Sequence, residues 1–240
     1  MYITPLGLRY VTPWGIQKEL SMIVDTMTMK EVGEAILKAV QRNLMKIASP
    51  MLRKDKLYRR IILKGGERRY DFKPLRSYAD GITFYVCPFS LCKRDYKKYS
   101  LAFGLFAHFF YKGTNWYALL CDDNRTVNLY NQHFFKRYIE RHLKDGSKVS
   151  IDTVRQYFKE TDYLTNCKIK ENPRHKNSVY GATNIGVCCG YHCGSTKITV
   201  WLTYIDKDTL SRGDKKEVFD DSADSLIPIG MDALGQRVFK

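Results

Sequence analysis

Leu101–Tyr130 reads LAFGLFAHFFYKGTNWYALLCDDNRTVNLY, and the fold class turns on it. Three runs of aromatic and β-branched side chains, Leu101–Tyr111, Trp116–Cys121 and Thr126–Tyr130, alternate with two clusters of turn formers, Gly113-Thr114-Asn115 and Asp122-Asp123-Asn124. Rings and branched side chains suit the pleated, half-buried surface of a sheet, while Gly, Asn and Asp tolerate the backbone angles of tight turns. The stretch predicts consecutive strands, with a further one upstream at Ile82–Cys87. A membrane span does not fit: Leu101–Tyr111 contains His108 and falls far short of the roughly 20 apolar residues that a crossing helix needs.

Outward from the strands the period changes. Thr12-Pro13-Trp14 reads as a helix start, and Thr28-Met29-Lys30-Glu31 as a second one, a capping box. Val32, Ile36, Val40, Leu44 and Ile47 then recur at helical spacing until Ser49-Pro50 stops the pattern. Downstream, two helices are expected at Gln132–Lys144 and Asp152–Glu160, followed by strands at Val179–Cys188 and Lys197–Ile205. The tail after Lys207 is polar and weakly patterned. The expected class is α+β: an N-terminal helical and basic region over residues 1–80, then a mostly antiparallel sheet with two packed helices over 81–240.

The charge is uneven. Residues 1–100 hold 20 basic and 9 acidic side chains, 101–200 hold 14 and 8, and 201–240 hold 6 and 8, so the net +15 sits on the body of the chain. A positive body with an acidic end suits a polyanionic partner, RNA before DNA. Seven cysteines in no small disulfide framework point to a reducing cytoplasm. Cys188, Cys189, His192 and Cys193, with Cys87 and Cys92, form the one group to weigh as a metal site; its spacing is not that of a zinc knuckle, so no metal or cofactor is expected. Arg9, Lys18 and Glu19 interrupt any apolar leader. The glycine-rich phosphate loops, the nucleophile elbow and the H-E-x-x-H zinc motif are absent, which removes support for nucleotide hydrolases, α/β-hydrolases and common zinc proteases.

Two basic segments are candidate nucleic-acid contacts. The first holds Arg53, Lys54, Lys56, Arg59, Arg60, Lys64, Arg68 and Arg69, with Tyr58, Tyr70 and Phe72 interleaved; the second holds Lys93, Arg94, Lys97 and Lys98 with Tyr96 and Tyr99. Cations beside rings suit phosphates with stacked bases, and equally a solvated helix or hairpin whose long side chains snorkel.

Residues 133–144, HFFKRYIERHLK, segregate cleanly when wound at 100° per residue. His133, Lys136, Arg137, Glu140, Arg141 and Lys144 make a polar arc. Phe134, Phe135, Tyr138, Ile139, His142 and Leu143 fill the other side, so His142 reads as a hydrogen-bonded core residue and His133 as free to act. An imidazole moves protons near neutral pH and guanidiniums hold phosphate, so His133, Arg137 and Arg141 are candidates for phosphodiester cleavage, and an ordinary solvated helix face is the competing account. His175 and His192 are weaker candidates, on loops.

The His133/Arg137/Arg141 helix resembles that of small bacterial ribonuclease-toxin-like domains of the barnase/EndoU/RelE superfamily. That resemblance implies a nuclease-like domain over 81–240, metal-free endoribonuclease chemistry, a late-strand hydroxyl (Thr203 or Tyr204) as an auxiliary catalytic group, and a neutralising antitoxin. Two further functions stand beside it: a non-catalytic nucleic-acid binder using the two basic segments, and a protein whose basic face meets an acidic protein.

Overall fold

A computed structural model describes residues 10–11, 17–18, 23–121, 126–164, 168–171, 177–194, 197–210, 216 and 219–220. Thr12-Pro13-Trp14 lies outside them; the flanking residues Tyr10–Val11 (β1) and Gln17–Lys18 (β2) pair as an antiparallel ladder.

Helix α1 (Met29–Leu52) begins at the expected capping box: Thr28 N donates to Glu31 Oε2 at 2.7 Å, and Glu31 N to Thr28 Oγ1 at 3.3 Å. Val32, Ile36, Val40 and Ile47 are buried along one side. The expected stop at Ser49-Pro50 is corrected, since the helix runs on to Leu52. Proline forfeits the bond to the carbonyl four residues back, and here that Lys46 oxygen accepts from Ser77 Oγ at 3.4 Å instead. Helix α2 (Asp55–Lys64) follows after two residues.

The sheet contains β3 (Tyr70–Asp71), β4 (Leu75–Ala79), β5 (Ile82–Ser90), β6 (Ala102–Tyr111), β7 (Thr114–Cys121), β8 (Thr126–Asn131), β9 (Lys168–Glu171), β10 (Ser178–Thr183), β11 (Gly186–His192) and β12 (Ile198–Asp206). Their order is β3-β5-β6-β7-β8-β12-β11-β10-β9, with β4 also on β5. Every pairing between them is antiparallel except β8–β12, which is parallel. Between strands lie α3 (Lys93–Tyr99), α4 (Gln132–Tyr138) with a wider turn over Ile139–Leu143, and α5 (Ile151–Glu160). The molecule is α+β.

Three expectations shift. The 80/81 boundary falls on the tip of the β4–β5 hairpin, where Asp80 and Gly81 both have positive φ, as a two-residue hairpin turn requires. Residues on either side of it share one sheet and one core. The turn expected at Gly113-Thr114-Asn115 is Lys112-Gly113, so Thr114 and Asn115 open β7. The single strand expected over Val179–Cys188 is a hairpin, broken at Asn184-Ile185, with Thr183 opposite Gly186.

Each face of the sheet has its own core. α1 and α2 cover the first, where Val32, Ile36, Val40 and Ile62 meet Val86, Leu105, Leu129 and Val200. Gly33 lets α1 approach closely, because a Cβ there would stand 2.7 Å from Ile198 Cγ2. α4 and α5 cover the second, with Phe134, Phe135, Tyr157 and Phe158 against Phe106, Tyr117, Tyr130 and Trp201. Strand β12 serves both: Ile198 and Val200 face the first core and Trp201, by alternation, the second, and a bulge at Leu202 brings Tyr204 to the second as well. Among the described residues no helix is long and apolar enough to cross a membrane.

Candidate nucleic-acid interface

The two basic segments, separate in sequence, are neighbours in space because α2 packs against α3. Glu67 Oε2 accepts from Arg94 N at 3.2 Å. The Tyr96 phenol is pushed up by burial and then by Asp55, with Arg59 acting the other way, so α2 and α3 lie within electrostatic reach. Arg53, Lys54, Lys56, Arg59, Arg60, Lys64, Arg68, Arg94, Lys97 and Lys98 are exposed, and Lys93 is half-buried. Helix α3 was not anticipated. Its start is a Cys92 cap, Sγ accepting from Asp95 N at 3.4 Å, and cysteine is a weak signal for that role.

Two of the rings between these cations turn inward, which removes Tyr58 and Tyr70 from any stacking on bases there, while Phe72 and Tyr96 are half-buried. Tyr58 is buried and packs on Phe72 with centroids 4.1 Å apart; Tyr70 is buried and donates to the Gly66 carbonyl at 2.7 Å. Arg69 is also withdrawn. Its Nη1 lies 2.6 Å from Asp162 Oδ1 and its Nε 3.2 Å from Asp71 Oδ1. Burial works against the Arg69 charge, but Asp162 and Asp71 outweigh it and hold the guanidinium above its usual pKa. Arg69 is a structural cation, and the other cations form the surface.

The two histidines of α4 and the wider turn after it differ as expected in exposure and bonding, although His142 is half-buried rather than in the core. His133 is exposed, and Arg137 Nε donates to its Nε2 at 3.3 Å. His142 has 23% side-chain exposure, stacks on Tyr138, and places Nδ1 2.6 Å from Asp206 Oδ2 and Nε2 3.4 Å from Glu160 Oε2. Tyr138 OH donates to the same Glu160 oxygen. Burial pushes the Asp206 carboxyl up, yet the Asp208 N–H, His142 and Tyr204 together hold it below the ordinary range. These carboxylates lie far along the chain from His142, so no local spacing announced the network.

The remaining members of the expected catalytic set are not assembled. Lys144 N bonds back to the Ile139 carbonyl, five residues earlier, and this wider turn breaks the 100° winding on which the arc rested. Arg141 is half-buried, with Nη1 donating to the Tyr204 carbonyl at 2.6 Å. Tyr204 is fully buried; its hydroxyl donates to the Ile185 carbonyl at 2.6 Å, and burial, then Asp206 and Cys188, drive its pKa far above the phenol range. Thr203 is half-buried opposite Cys189.

The cysteine group is split as well. Cys188 is buried in the second core 3.0 Å from Tyr157 OH, whereas Cys193 packs against the first core, and His192 Nδ1 lies 3.0 Å from Thr199 Oγ1. Burial pushes the Cys87 thiol up to about 11, and Cys92 serves as the α3 cap. Among the described residues no group of three or more His, Cys, Asp or Glu side chains is gathered for a metal. His175 lies outside the described residues. No protein-family model, curated protein or solved structure matches the chain.

Proposed function

We propose that this protein binds nucleic acid, RNA before DNA, by gripping the phosphate backbone with the α2–α3 face. The observation that carries the reading is the packing of α2 on α3, which merges two basic runs into one exposed field while Tyr58 and Tyr70 turn inward. A field of exposed cations with Tyr58 and Tyr70 withdrawn favours phosphates over base edges, so this face is expected to grip the backbone rather than read sequence. A reducing compartment such as the cytoplasm suits the six described cysteines, none of which is in a disulfide.

The test is RNA affinity across a salt series. Log K should fall linearly with log salt, and Arg59→Ala with Arg60→Ala should flatten the slope by about 0.7 per lost single-strand phosphate contact. An unchanged slope removes this face from the interface. Binding to an acidic protein with none to RNA hands the face to a protein partner, an antitoxin included.

Metal-independent RNA cleavage is the second reading, favoured by the exposed His133–Arg137 pair. The same RNA, incubated without divalent metal, should be cut by wild type and spared by His133→Ala if that pair is catalytic, with a loss of about 10²–10⁴-fold in rate. RNA bound but left whole by wild type sinks the cleavage reading alone.

A further inference from the structure

Among the described residues, the helices on the second face of the sheet do not cover it from end to end. Phe158 of α5 lies over Phe106 and Phe135 of α4 over Tyr117, with centroids 5.4 and 5.1 Å apart. Beyond those contacts the register sets Tyr78 of β4, Thr83 of β5, His108 of β6 and Tyr117 of β7 in one cross-strand row. Arg76, Tyr85 and Phe106 form the next row, and Phe110 ends the array on the other side. Side chains directly opposite one another share a face, and every second residue along a strand returns to it. Phe106 and Tyr117 belong to the second core, so all of these groups project on that side.

What emerges from the helices is an outward-facing set of rings. Phe110 is 63% exposed and Tyr78 45% exposed. Tyr85 and His108 are half-buried and held in place. Tyr85 stacks on Phe106 at 5.0 Å with planes 15° apart, and His108 lies 5.2 Å from Tyr117 with its Nε2 3.0 Å from Asn115 Oδ1. Rings fixed by neighbours bind flat partners with little ordering cost. Arg76 is exposed beside them, and among the described residues neither row contains a carboxylate.

We infer that this open end of the sheet, Arg76, Tyr78, Tyr85, His108 and Phe110, is a base-stacking platform for unpaired nucleotides of single-stranded RNA. The inference rests on the nucleic-acid reading above and deepens it: the α2–α3 face supplies charge, and this surface supplies the rings that α2 withdraws. Charge complementarity commits the occupant, because the chain carries +15 and the platform presents a cation without an acid. Stacking demands exposed base faces, which a duplex hides and a single strand offers.

The experiment compares a short oligouridylate with an RNA duplex of equal length across a salt series. The proteins are wild type, Tyr78→Ala, Phe110→Ala, their double variant, Tyr78→Phe, and Arg59→Ala with Arg60→Ala. The double aromatic variant should lose about tenfold or more of its affinity for the single strand at every salt concentration, with the salt slope and duplex binding unchanged. Tyr78→Phe keeps the ring and should bind as wild type does. The arginine pair should instead flatten the slope. Both aromatic side chains are exposed, so thermal unfolding should be unchanged, and the single variants decide the matter if the double variant does not fold. Wild-type affinity in the aromatic variants, with the arginine pair still acting, overturns the platform and leaves the α2–α3 reading standing. Preference for the duplex also overturns it. Wild type that binds neither RNA overturns both.

Discussion

The two faces of the sheet are built from different chemistry. The α1–α2 face is mainly aliphatic, with Ile, Val, Leu and Ala under helices of 24 and 10 residues. The α4–α5 face is aromatic, with Phe134, Phe135, Tyr138, Tyr157 and Phe158 against Tyr130, Trp201 and Tyr204, under helices of 7 and 10 residues. A long helix with branched side chains closes its side by length. Short helices with rings reach further per residue but cover less of the sheet, and they bring hydroxyls that need partners. The aromatic face therefore holds the His142–Asp206–Glu160 network and also leaves rings exposed at one end.

The largest expected effect lies in the aromatic core. Phe134 is fully buried and meets Tyr130, Phe135, Tyr157 and Tyr204 at centroid distances of 4.9 to 6.0 Å. Phe134→Ala should cost about 3–5 kcal/mol in urea unfolding. Phe134→Leu should still cost more than Ile36→Leu on the aliphatic side, where a volume-conserving swap costs less than about 1.5 kcal/mol. The difference comes from ring–ring contacts worth about 0.5–1.5 kcal/mol each. Equal costs would break the comparison.

A smaller effect tests the polar side of the same face. The folded Asp206 carboxyl is held below its ordinary pKa, so the stability it contributes is full above the unfolded value and is lost as pH falls through the folded one. Asp206→Asn should lower stability at neutral pH by about 1–3 kcal/mol and should reduce the loss of stability below about pH 4. An unaltered acid limb in the unfolding profile would mean that the Asp206 carboxylate, with its Asp208, His142 and Tyr204 contacts, contributes nothing there.

Much of this was legible in the sequence. The strands of Leu101–Tyr130 announce themselves because rings alternate with turn residues, and α1 because Thr28 and Glu31 cap a periodic run. Some misses were local, such as the Cys92 cap that starts α3 and the wider turn closed by Lys144 on Ile139, but others have causes distant along the chain. Pro50 is tolerated because Ser77 reaches the Lys46 carbonyl, and Arg141 leaves its arc because the helix widens and the Tyr204 carbonyl accepts it. Tyr204 carries a hydroxyl in a late strand, as a catalytic auxiliary would, but the bulge at Leu202 turns it inward. The open platform was illegible for the same reason, since its rings come from β4, β5 and β6 and only the register brings them together.

The parallel join of β8 to β12 has a kinetic consequence. On each side of it the strands between β4 and β12 connect mostly through neighbours in sequence, whereas Val127 meets Ile198 and Leu129 meets Val200 with 71 positions of chain separating each pair (198 − 127 and 200 − 129). Contacts between chain neighbours form at small entropic cost, and distant ones wait for a large loop to close. The half containing β4–β8 is expected to order first, with the β8–β12 seam zipping after it. Val200→Ala should then act mainly on the unfolding rate, with a φ-value near 0, while Leu105→Ala in the β5–β7 meander should slow folding. High φ-values at the seam would reverse that order and make the join the nucleus on which both halves grow.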